Sequence, residues 1–211
     1  MAEIGWLGTA DEAAIDAAHR VVEAVMRLGG AVGWVHVPDR AETAEWLAGI
    51  AAEVAAGKTR MAVVSTGGRV EALGRWTWYA KPAVGVNGEI LQVMVHPDGR
   101  GQGLARLLVG ALVEDARAHR VETLTLDVRG NNHAAMALYE AFGFQVSGRL
   151  PDFVAVGDER WDRVLYRLDL RTGDYPVRRH GMRPIGPGAS TVRFPAGPGT
   201  AFGRSRTGRL D

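Results

Sequence analysis

Apolar residues recur along this chain in two spacings, one typical of helices and one typical of strands. Spacings of three and four predict two early helices, one from a capping box at Thr9 and Glu12 to Gly29, and one over residues 41–56 behind a second cap at Asp39 and Glu42. Alternating apolar runs predict strands at residues 4–7, 61–65 and 69–79, the last two joined as a hairpin by the glycines at 67 and 68.

The second half of the chain continues this alternation. A short apolar run predicts a strand at 89–95, and helical spacing predicts a helix that continues over 106–119. A strand at 123–128, a helix at 132–142 and strands at 144–148 and 161–170 follow, with a loop at 152–158. The order β-α-α-β-β-β-α-β-α-β-β predicts one α+β domain over residues 1–170.

Residues 171–211 have a different composition. Periodicity ends there, and proline, glycine, serine, threonine and arginine dominate, so we expect a flexible basic tail. The tail holds eight arginines against two aspartates, and its net charge of +6 leaves −5 for the rest of a chain whose total is +1. Because no folded basic face is predicted there, we interpret this charge as solvated and do not expect nucleic acid as a partner.

The overall composition narrows the function class. Hydrophobic residues make up 46% and charged residues 23% of 211 residues, which is typical of a soluble globular protein. No apolar run approaches the roughly 20 residues that span a bilayer, and the N-terminus does not resemble a signal peptide, so we expect no membrane association and a cytoplasmic location. The chain has no cysteine, which excludes disulfides, thiolate metal sites and a cysteine nucleophile.

Three glycines at alternate positions separate the strand at 89–95 from the helix that follows: Gly99, Gly101 and Gly103. Glycine lets backbone N–H groups approach a phosphate closely, and the first turn of a helix carries unpaired N–H groups with partial positive charge. A strand, a glycine turn and a helix start therefore predict an anion-binding site.

Three known phosphate-binding loops fit this turn unequally. A P-loop requires glycine, lysine and serine or threonine at the helix start, but leucine and alanine follow the last glycine. A dinucleotide-binding turn requires a third glycine where Arg106 stands, so we interpret Asp127, at the end of the next strand, as a mimic of its ribose-binding acid. The third pattern, Arg-x-x-Gly-x-Ala, is complete at Arg100, Gly103 and Ala105.

The complete pattern resembles the acetyl-CoA loop of the GCN5-related N-acetyltransferases, the GNAT family. Two later segments are similar to that family as well: Leu-Thr-Leu-Asp-Val-Arg-Gly-Asn-Asn at 124–132 and Leu-Tyr-Glu-Ala-Phe-Gly-Phe at 138–144. The resemblance covers about residues 86–170. It implies a central mixed, mostly antiparallel twisted sheet of about six or seven strands, flanked by about four helices.

The resemblance also implies a cosubstrate, acetyl-CoA. Backbone amides between Met94 and Arg106 are expected to hold its diphosphate, and Asn132 is expected to cap its helix and reach the pantetheine or phosphate region. The expected acetyl-CoA-binding residues are Met94, Val95, Arg100, Gly101, Gln102, Gly103, Leu104, Ala105, Arg106 and Asn132.

Three residues match positions that carry chemistry in the family. Glu89 corresponds to the general base of the histone-acetylating members, and Asp127 to a glutamate of the ribosomal-protein N-terminal acetyltransferases. Tyr139 corresponds to the tyrosine that acts as general acid toward the CoA thiolate. For each of the three a purely structural role stays open: a solvated charge after a turn, a strand-end residue and a core tyrosine.

The acceptor is expected to be the primary amine of a small molecule, attacked directly because no serine lies in a nucleophile elbow. A protein N-terminus and a non-catalytic acyl-CoA-binding module are the alternatives, and the start of the chain shows a faint likeness to the tabtoxin-resistance branch. The six histidines lack metal-ligand spacing, so no metal is expected, and a homodimer stays open. Expected acceptor-pocket residues are Trp34, His36, Asp39, Trp76, Trp78, Tyr79 and the segment 152–161.

Overall fold

The computed structural model of the chain describes residues 1–30 and 33–171, so the predicted tail lies, apart from Arg171, outside the described residues. No helix within these ranges is long and apolar enough to cross a membrane. The helices and strands are β1 Ala2–Trp6, α1 Glu12–Arg27, α2 Arg40–Ala55, β2 Thr59–Thr66, β3 Arg69–Trp78, β4 Asn87–Val95, α3 Leu104–Ala118, β5 Thr123–Arg129, α4 His133–Ala141, β6 Gln145–Val156 and β7 Glu159–Asp169.

All seven strands form one sheet in the order β1-β2-β3-β4-β5-β7-β6. Every neighbouring pair is antiparallel except β4 and β5, which run parallel. This confirms the expected mixed, mostly antiparallel sheet with four helices. The parallel direction of β4 and β5 is possible because α3 connects them across one face of the sheet.

Helices cover both faces of the sheet and bury two apolar clusters. On one face, α1 and α2 pack against side chains of β2, β3 and β4, among them Met61, Leu73 and Met94. On the other face, α3 packs against Trp76, Ile90 and residues of β5 and β7. Alternation along each strand sends successive side chains to opposite clusters. Past the edge of α1 and α2, the first face therefore carries the polar side chains of β4, β5 and β7.

The sheet divides where β4 leaves β5. Their ladder pairs residues 87–89 with 123–125 and then ends, although β4 continues to Val95. A bulge lies just beyond this point, where the β3–β4 register shifts between Leu73 and Arg75 and Gln92 adopts a φ of 55°. Gly74 accommodates the bulge, because a Cβ on it would lie 3.3 Å from Val93 Cα. We call this division the fork. The bulge bends β4 away from β5 and so opens the sheet between them.

Two local predictions were wrong. The first helix is capped by Asp11, whose carboxylate accepts a hydrogen bond from the Ala14 N–H at 2.9 Å, so Glu12 begins the helix and Thr9 caps nothing. The predicted capping box of Asp39 and Glu42 is confirmed. The predicted loop at 152–158 is instead the end of β6 and its turn into β7. Because β6 is an edge strand exposed along almost its whole length, its sequence does not alternate.

Candidate active site

A cleft of about 1040 Å³ opens at the fork. Most of its lining comes from the end of α1, the bulged part of β4, the glycine loop with the start of α3, and the end of β5 with α4. Among the lining residues are Gly29, Gln92, Met94, Val95, Arg100, Gly101, Gly103, Leu104, Ala105, Arg106, Asp127, Asn132 and Tyr139. The structure thus brings most of the predicted site residues around one space.

The glycine loop presents its backbone N–H groups without protein partners. Among the described residues, none of the amides from 101 to 106 donates a hydrogen bond, and the first helical bond of α3 runs from Leu107 N–H to the Gly103 carbonyl at 3.0 Å. Gly101 and Gly103 adopt φ values of 75° and 77°, which other residues rarely reach. Gly103 is the N-cap and offers no side chain to satisfy these amides. The loop is therefore suited to an anion such as a diphosphate.

Several predicted binding residues contribute in a restricted way. The Met94 side chain is buried in the core, so its backbone faces the cleft. Gln102 does not line the cleft, and its side-chain amide donates to the Asp98 carbonyl at 2.8 Å, which closes the loop on itself. The Arg106 guanidinium lies 5.7 Å from the centre of the Phe142 ring. The Gln102 side chain thus stabilises the loop, and its backbone N–H is the group left for a ligand.

A partly buried polar network packs against the turn that precedes the glycine loop. His96 Nδ1 accepts a hydrogen bond from the Asp98 N–H at 3.2 Å, which requires that nitrogen to be unprotonated. Burial lowers the pKa of His96, and the positive charge of Arg20 lowers it further. Glu71 pairs with Arg20 at 3.1 Å and packs beneath Gly99, on which a Cβ would lie 3.3 Å from Glu71 Cβ. These residues hold the turn that precedes the glycines.

Glu89 lies at the fork on the polar face of the sheet, paired with Thr77 of β3 and Thr125 of β5. Burial raises the pKa of its carboxyl, and the nearby charge of Asp127 raises it further, while Arg163 and Arg75 act in the opposite direction. The cleft lining begins at the next residue, Ile90. Glu89 is therefore a half-buried carboxyl with enhanced proton affinity beside the cleft.

Asp127 lines the cleft itself but is engaged in an ion pair. Its Oδ1 accepts a hydrogen bond from Arg163 Nη2 at 2.5 Å, and both side chains are about one-third exposed. Arg163 stands on β7, whose residues 163–169 pair with the whole length of β5. The sequence analysis did not identify Arg163, because its link to Asp127 depends on strand neighbours 36 residues apart.

Tyr139 reaches the cleft from α4 and is 6% exposed. Its ring packs edge-on against Phe144 at 5.8 Å, and its hydroxyl makes no hydrogen bond to the described part of the chain. Burial raises the pKa of the phenol well above its usual value, and the charge of Asp127 adds to the effect. The hydroxyl therefore stays protonated and can donate a hydrogen bond into the cleft.

Asn132 caps α4, since its side chain accepts a hydrogen bond from the Ala135 N–H at 3.2 Å. Its neighbour Asn131 also lines the cleft, and the Asn131 side-chain oxygen is buried without a hydrogen-bond partner in the described residues. Arg129 donates to the Gly29 carbonyl at 3.1 Å and so ties β5 to the end of α1. Asn131 was missed as a site residue because either asparagine of the pair could have been the cap.

The predicted place of the β3 tryptophans, Trp76 and Trp78, in the acceptor pocket is wrong. Trp76 is fully buried on the α3 side, where its Nε1–H donates to Asp115 at 2.9 Å. Trp78 packs against it with ring centres 4.1 Å apart. Trp34 packs edge-on against Trp46 of α2. Alternation along β3 turns its tryptophans away from the face that carries Glu89.

The other expected pocket residues divide between structural and cleft positions. Asp39 caps α2, and His36 bonds to Glu42 at 2.9 Å. The Tyr79 hydroxyl bonds to Thr125 Oγ1 at 2.6 Å, beside Glu89 in the β4–β5 ladder. Val154 of the β6–β7 hairpin lines the cleft. The hairpin thus forms one end of the cleft, next to the polar face of the sheet.

Comparison with known proteins agrees with this geometry. The chain matches the model of the Acetyltransferase (GNAT) family over residues 32–144, just over half of its length. It is 35% identical over 81 residues to [Ribosomal protein bS18]-alanine N-acetyltransferase of Escherichia coli (strain K12), covering 38% of this chain and 55% of that protein. It is 32% identical over 83 residues to L-amino acid N-acyltransferase MnaT of the same strain, covering 38% and 48%.

The chain therefore spans about half the length of these curated relatives. Among solved structures, yncA of Salmonella typhimurium with its cofactor acetyl-CoA superposes with a TM-score of 0.69 at 22% identity, over 81% of this chain and 94% of the other. That likeness shows the fold. With the family match and the complete Arg-x-x-Gly-x-Ala loop at the fork, the chain belongs to the GNAT family of acetyltransferases.

Proposed function

We propose that this protein transfers an acetyl group from acetyl-CoA to the primary amine of a small molecule. The observation that carries the proposal is the meeting of three elements at one fork: six unpaired loop amides, a carboxyl with raised pKa and a protonated buried phenol. These match the three demands of acetyl transfer, which are to hold the diphosphate, to deprotonate the amine and to protonate the thiolate.

The loop is assigned to the cosubstrate. The amides of residues 101–106 bond the diphosphate, and Arg100 and Arg106 add positive charge at the cleft wall. Asn131 lines the same space and has a side-chain oxygen without a partner in the described residues, which is assigned to an amide or hydroxyl donor of the cosubstrate, while Asn132 Oδ1 already accepts the Ala135 N–H as the cap of α4. The backbone of Met94 and Val95 lines the path between the loop and the fork.

Two side chains are assigned to proton transfer. Glu89 accepts the proton of the substrate ammonium, directly or through water, and the neutral amine then attacks the thioester carbonyl within a ternary complex. The C–N bond forms and the C–S bond breaks as the tetrahedral intermediate collapses. Tyr139 gives its hydrogen bond and proton to the departing thiolate.

A second candidate is acetylation of a protein N-terminus. It is favoured by the position of Asp127 at the cleft wall and by the likeness to the bS18-alanine N-acetyltransferases. The two candidates differ in the acceptor they require, a free small amine or a chain end. A cytoplasmic location, where acetyl-CoA is available, belongs to both.

Thiol release from acetyl-CoA tests the proposal across a panel of amino acids, polyamines and short peptides with free N-termini. We expect turnover with a small amine, and a fall of about 10²-fold in kcat for Glu89→Gln with unchanged acetyl-CoA affinity by calorimetry. Turnover confined to peptides would establish the second candidate. Acetyl-CoA binding without turnover on any acceptor would identify a non-catalytic module, and absence of binding would refute both functions.

A further inference from the structure

Arg163 connects three strands at the hairpin end of the cleft. It stands on β7, donates to Asp127 of β5 at 2.5 Å, and places its guanidinium carbon 5.6 Å from the centre of the Phe153 ring of β6. It also lies close enough to Glu89 for their charges to interact. One side chain thus connects the hairpin, the ion pair and the fork.

Two carboxyls compete for the role of base, and their surroundings differ. Asp127 accepts a charge-assisted hydrogen bond, and taking up a proton would weaken that bond and leave a guanidinium charge without its counterion. Glu89 accepts no hydrogen bond from a described side chain, and it is half-buried beside threonines of both neighbouring strands. Of the two carboxyls, Glu89 is therefore the one whose oxygens are not engaged by a described side-chain donor.

We propose that Arg163 is a positioning residue that holds Asp127 as a paired anion and so leaves Glu89 as the carboxylate that takes the proton of the amine. This assignment rests on the proposed acetyltransferase function and names the base for it. Arg163 acts through Asp127 and through the electrostatic field at Glu89, without contact with the reacting atoms.

The other charged groups around Glu89 do not substitute for Arg163. From β3, Arg75 is shared between the Gln92 side-chain oxygen at 2.9 Å and Glu53 at 3.0 Å. Tyr79, just after β3, is bonded to Thr125. From β5 the facing charge is Asp127 itself. Loss of Arg163 would therefore leave two carboxylates close together with a weaker cationic counterweight.

The consequence is a shift in the proton affinity of Glu89. Without Arg163, the negative charge of Asp127 acts unopposed, which favours the protonated form of Glu89. The acidic limb of the pH profile of kcat/KM then moves to higher pH. Loss of Asp127 has the opposite effect, because its charge is one of the two causes that raise the pKa of Glu89.

The test compares Arg163→Met, Arg163→Lys and Asp127→Asn with a matched control, Arg160→Met. Arg160 stands on the same strand, and among the described residues its side chain bonds to the backbone carbonyls of Gly157 and Glu159 at the hairpin turn and to no other group. We expect Arg163→Met to raise the acid-limb pKa of kcat/KM by about one unit, which lowers kcat/KM by roughly 10-fold on the acidic limb and little on the plateau. Arg163→Lys restores most of the limb position, Asp127→Asn lowers it, and Arg160→Met leaves it unmoved.

Carboxyl carbon NMR of the ligand-free protein gives a second measurement that needs no turnover. The titration midpoint of Glu89 should rise in Arg163→Met and not in Arg160→Met. Equal midpoints in the two variants would overturn the proposal, as would loss of turnover in Asp127→Asn with turnover kept in Glu89→Gln. If the wild type releases no thiol with any amine, the proposed function fails, while the NMR midpoints still decide whether Arg163 controls Glu89.

Discussion

Glu89 lies beside Thr125 at the last step of the parallel ladder between β4 and β5. On one side of this pair the strands are bonded, and on the other they part around the cleft. A carboxyl at such a point is shielded by strand neighbours, and the next residue, Ile90, already lines the opening. This position explains both the half-burial of Glu89 and the raised pKa that follows from it.

The ionised form of Glu89 should lower the free energy of unfolding, so the stability that Glu89 contributes should fall as pH rises. A folded-state pKa raised above its usual 4.5 favours the protonated carboxyl in the fold. Its favourable contribution is complete below the unfolded pKa and is lost as pH rises through the folded pKa. We expect the free energy of unfolding of Glu89→Gln to exceed that of the wild type by up to about 1 kcal/mol at pH 8 and to be nearly equal to it at pH 4.

Thermal denaturation between pH 4 and 8 measures this difference. The matched control is Glu23→Gln, since Arg27 bonds the Glu23 carboxylate and lowers its pKa. The control should show no gain at pH 8. A melting temperature below that of the wild type for Glu89→Gln at pH 8 would contradict the view that the fold disfavours the ionised Glu89 carboxyl.

Tyr139→Phe should separate chemistry from binding. The ring packs in the core against Phe144, so phenylalanine preserves the packing and removes only the hydroxyl. We expect kcat to fall by at least about 10-fold while the Kd for acetyl-CoA changes less than twofold. Steady-state kinetics and calorimetry check the two parts. Unchanged turnover would remove the acid role and leave Tyr139 as a core residue.

Gly103→Ala should weaken acetyl-CoA binding. Its φ of 77° costs an alanine roughly 1 kcal/mol, and a Cβ there would meet no atom within 4 Å, so the loop relaxes by turning its amides. We expect about a 10-fold rise in Kd. Gly57→Ala is the control, because Gly57 has a φ of 67° and equal space at the end of α2. Calorimetry should find its Kd unchanged, and an equal loss in both variants would contradict a specific role of the loop.

Asp115→Ala should destabilise the fold far from the cleft. Asp115 accepts hydrogen bonds from Trp76 at 2.9 Å and from two nitrogens of Arg60 at 3.1 Å. Its removal leaves a buried indole N–H and a guanidinium without their acceptor, which costs about 2–4 kcal/mol. Urea denaturation measures the loss. Asp115→Asn keeps an acceptor for Trp76 and should lose less; equal losses would assign the effect to the ion pair.

Removal of residues 172–211 should leave acetyl-CoA binding intact. The described part closes on itself at this point, since the Leu170 N–H donates to the Glu122 carbonyl at 2.8 Å and Arg171 pairs with Asp169 at 2.6 Å. We expect the shortened protein to keep its melting temperature within about 2 °C and its Kd within twofold. Loss of the cooperative transition would show that the domain extends beyond Leu170.

What the sequence predicted correctly is encoded in short segments. The glycine loop and the cap of Asn132 depend on neighbours within a few residues, so local rules identify them. The ion pair of Asp127 with Arg163 depends on strand order, because β7 lies beside β5 although β6 and α4 separate them in the chain. No local pattern marks such a pair.

The tryptophans of β3 illustrate a second limit. A Trp-x-Trp pattern fixes that both side chains share a face but not which face. Both face α3, where Trp76 joins the apolar cluster and its indole N–H donates to Asp115, 39 residues away. The extent of the edge strand β6 was underestimated for another reason. Both of its faces are exposed, which removes the alternation that identifies a strand.

The fork has a thermodynamic consequence. In the part of the chain that the structure describes, no strand pairs with the β5-facing edge of β4 beyond Glu89. The backbone N–H and C=O groups on this edge therefore depend on solvent or on a bound molecule for hydrogen bonds. A molecule that bonds to this edge in the folded state alone shifts the unfolding equilibrium, by about 2.7 kcal/mol at a hundred times its Kd. The lifetime of the protein against proteolysis would then track the supply of its own cosubstrate.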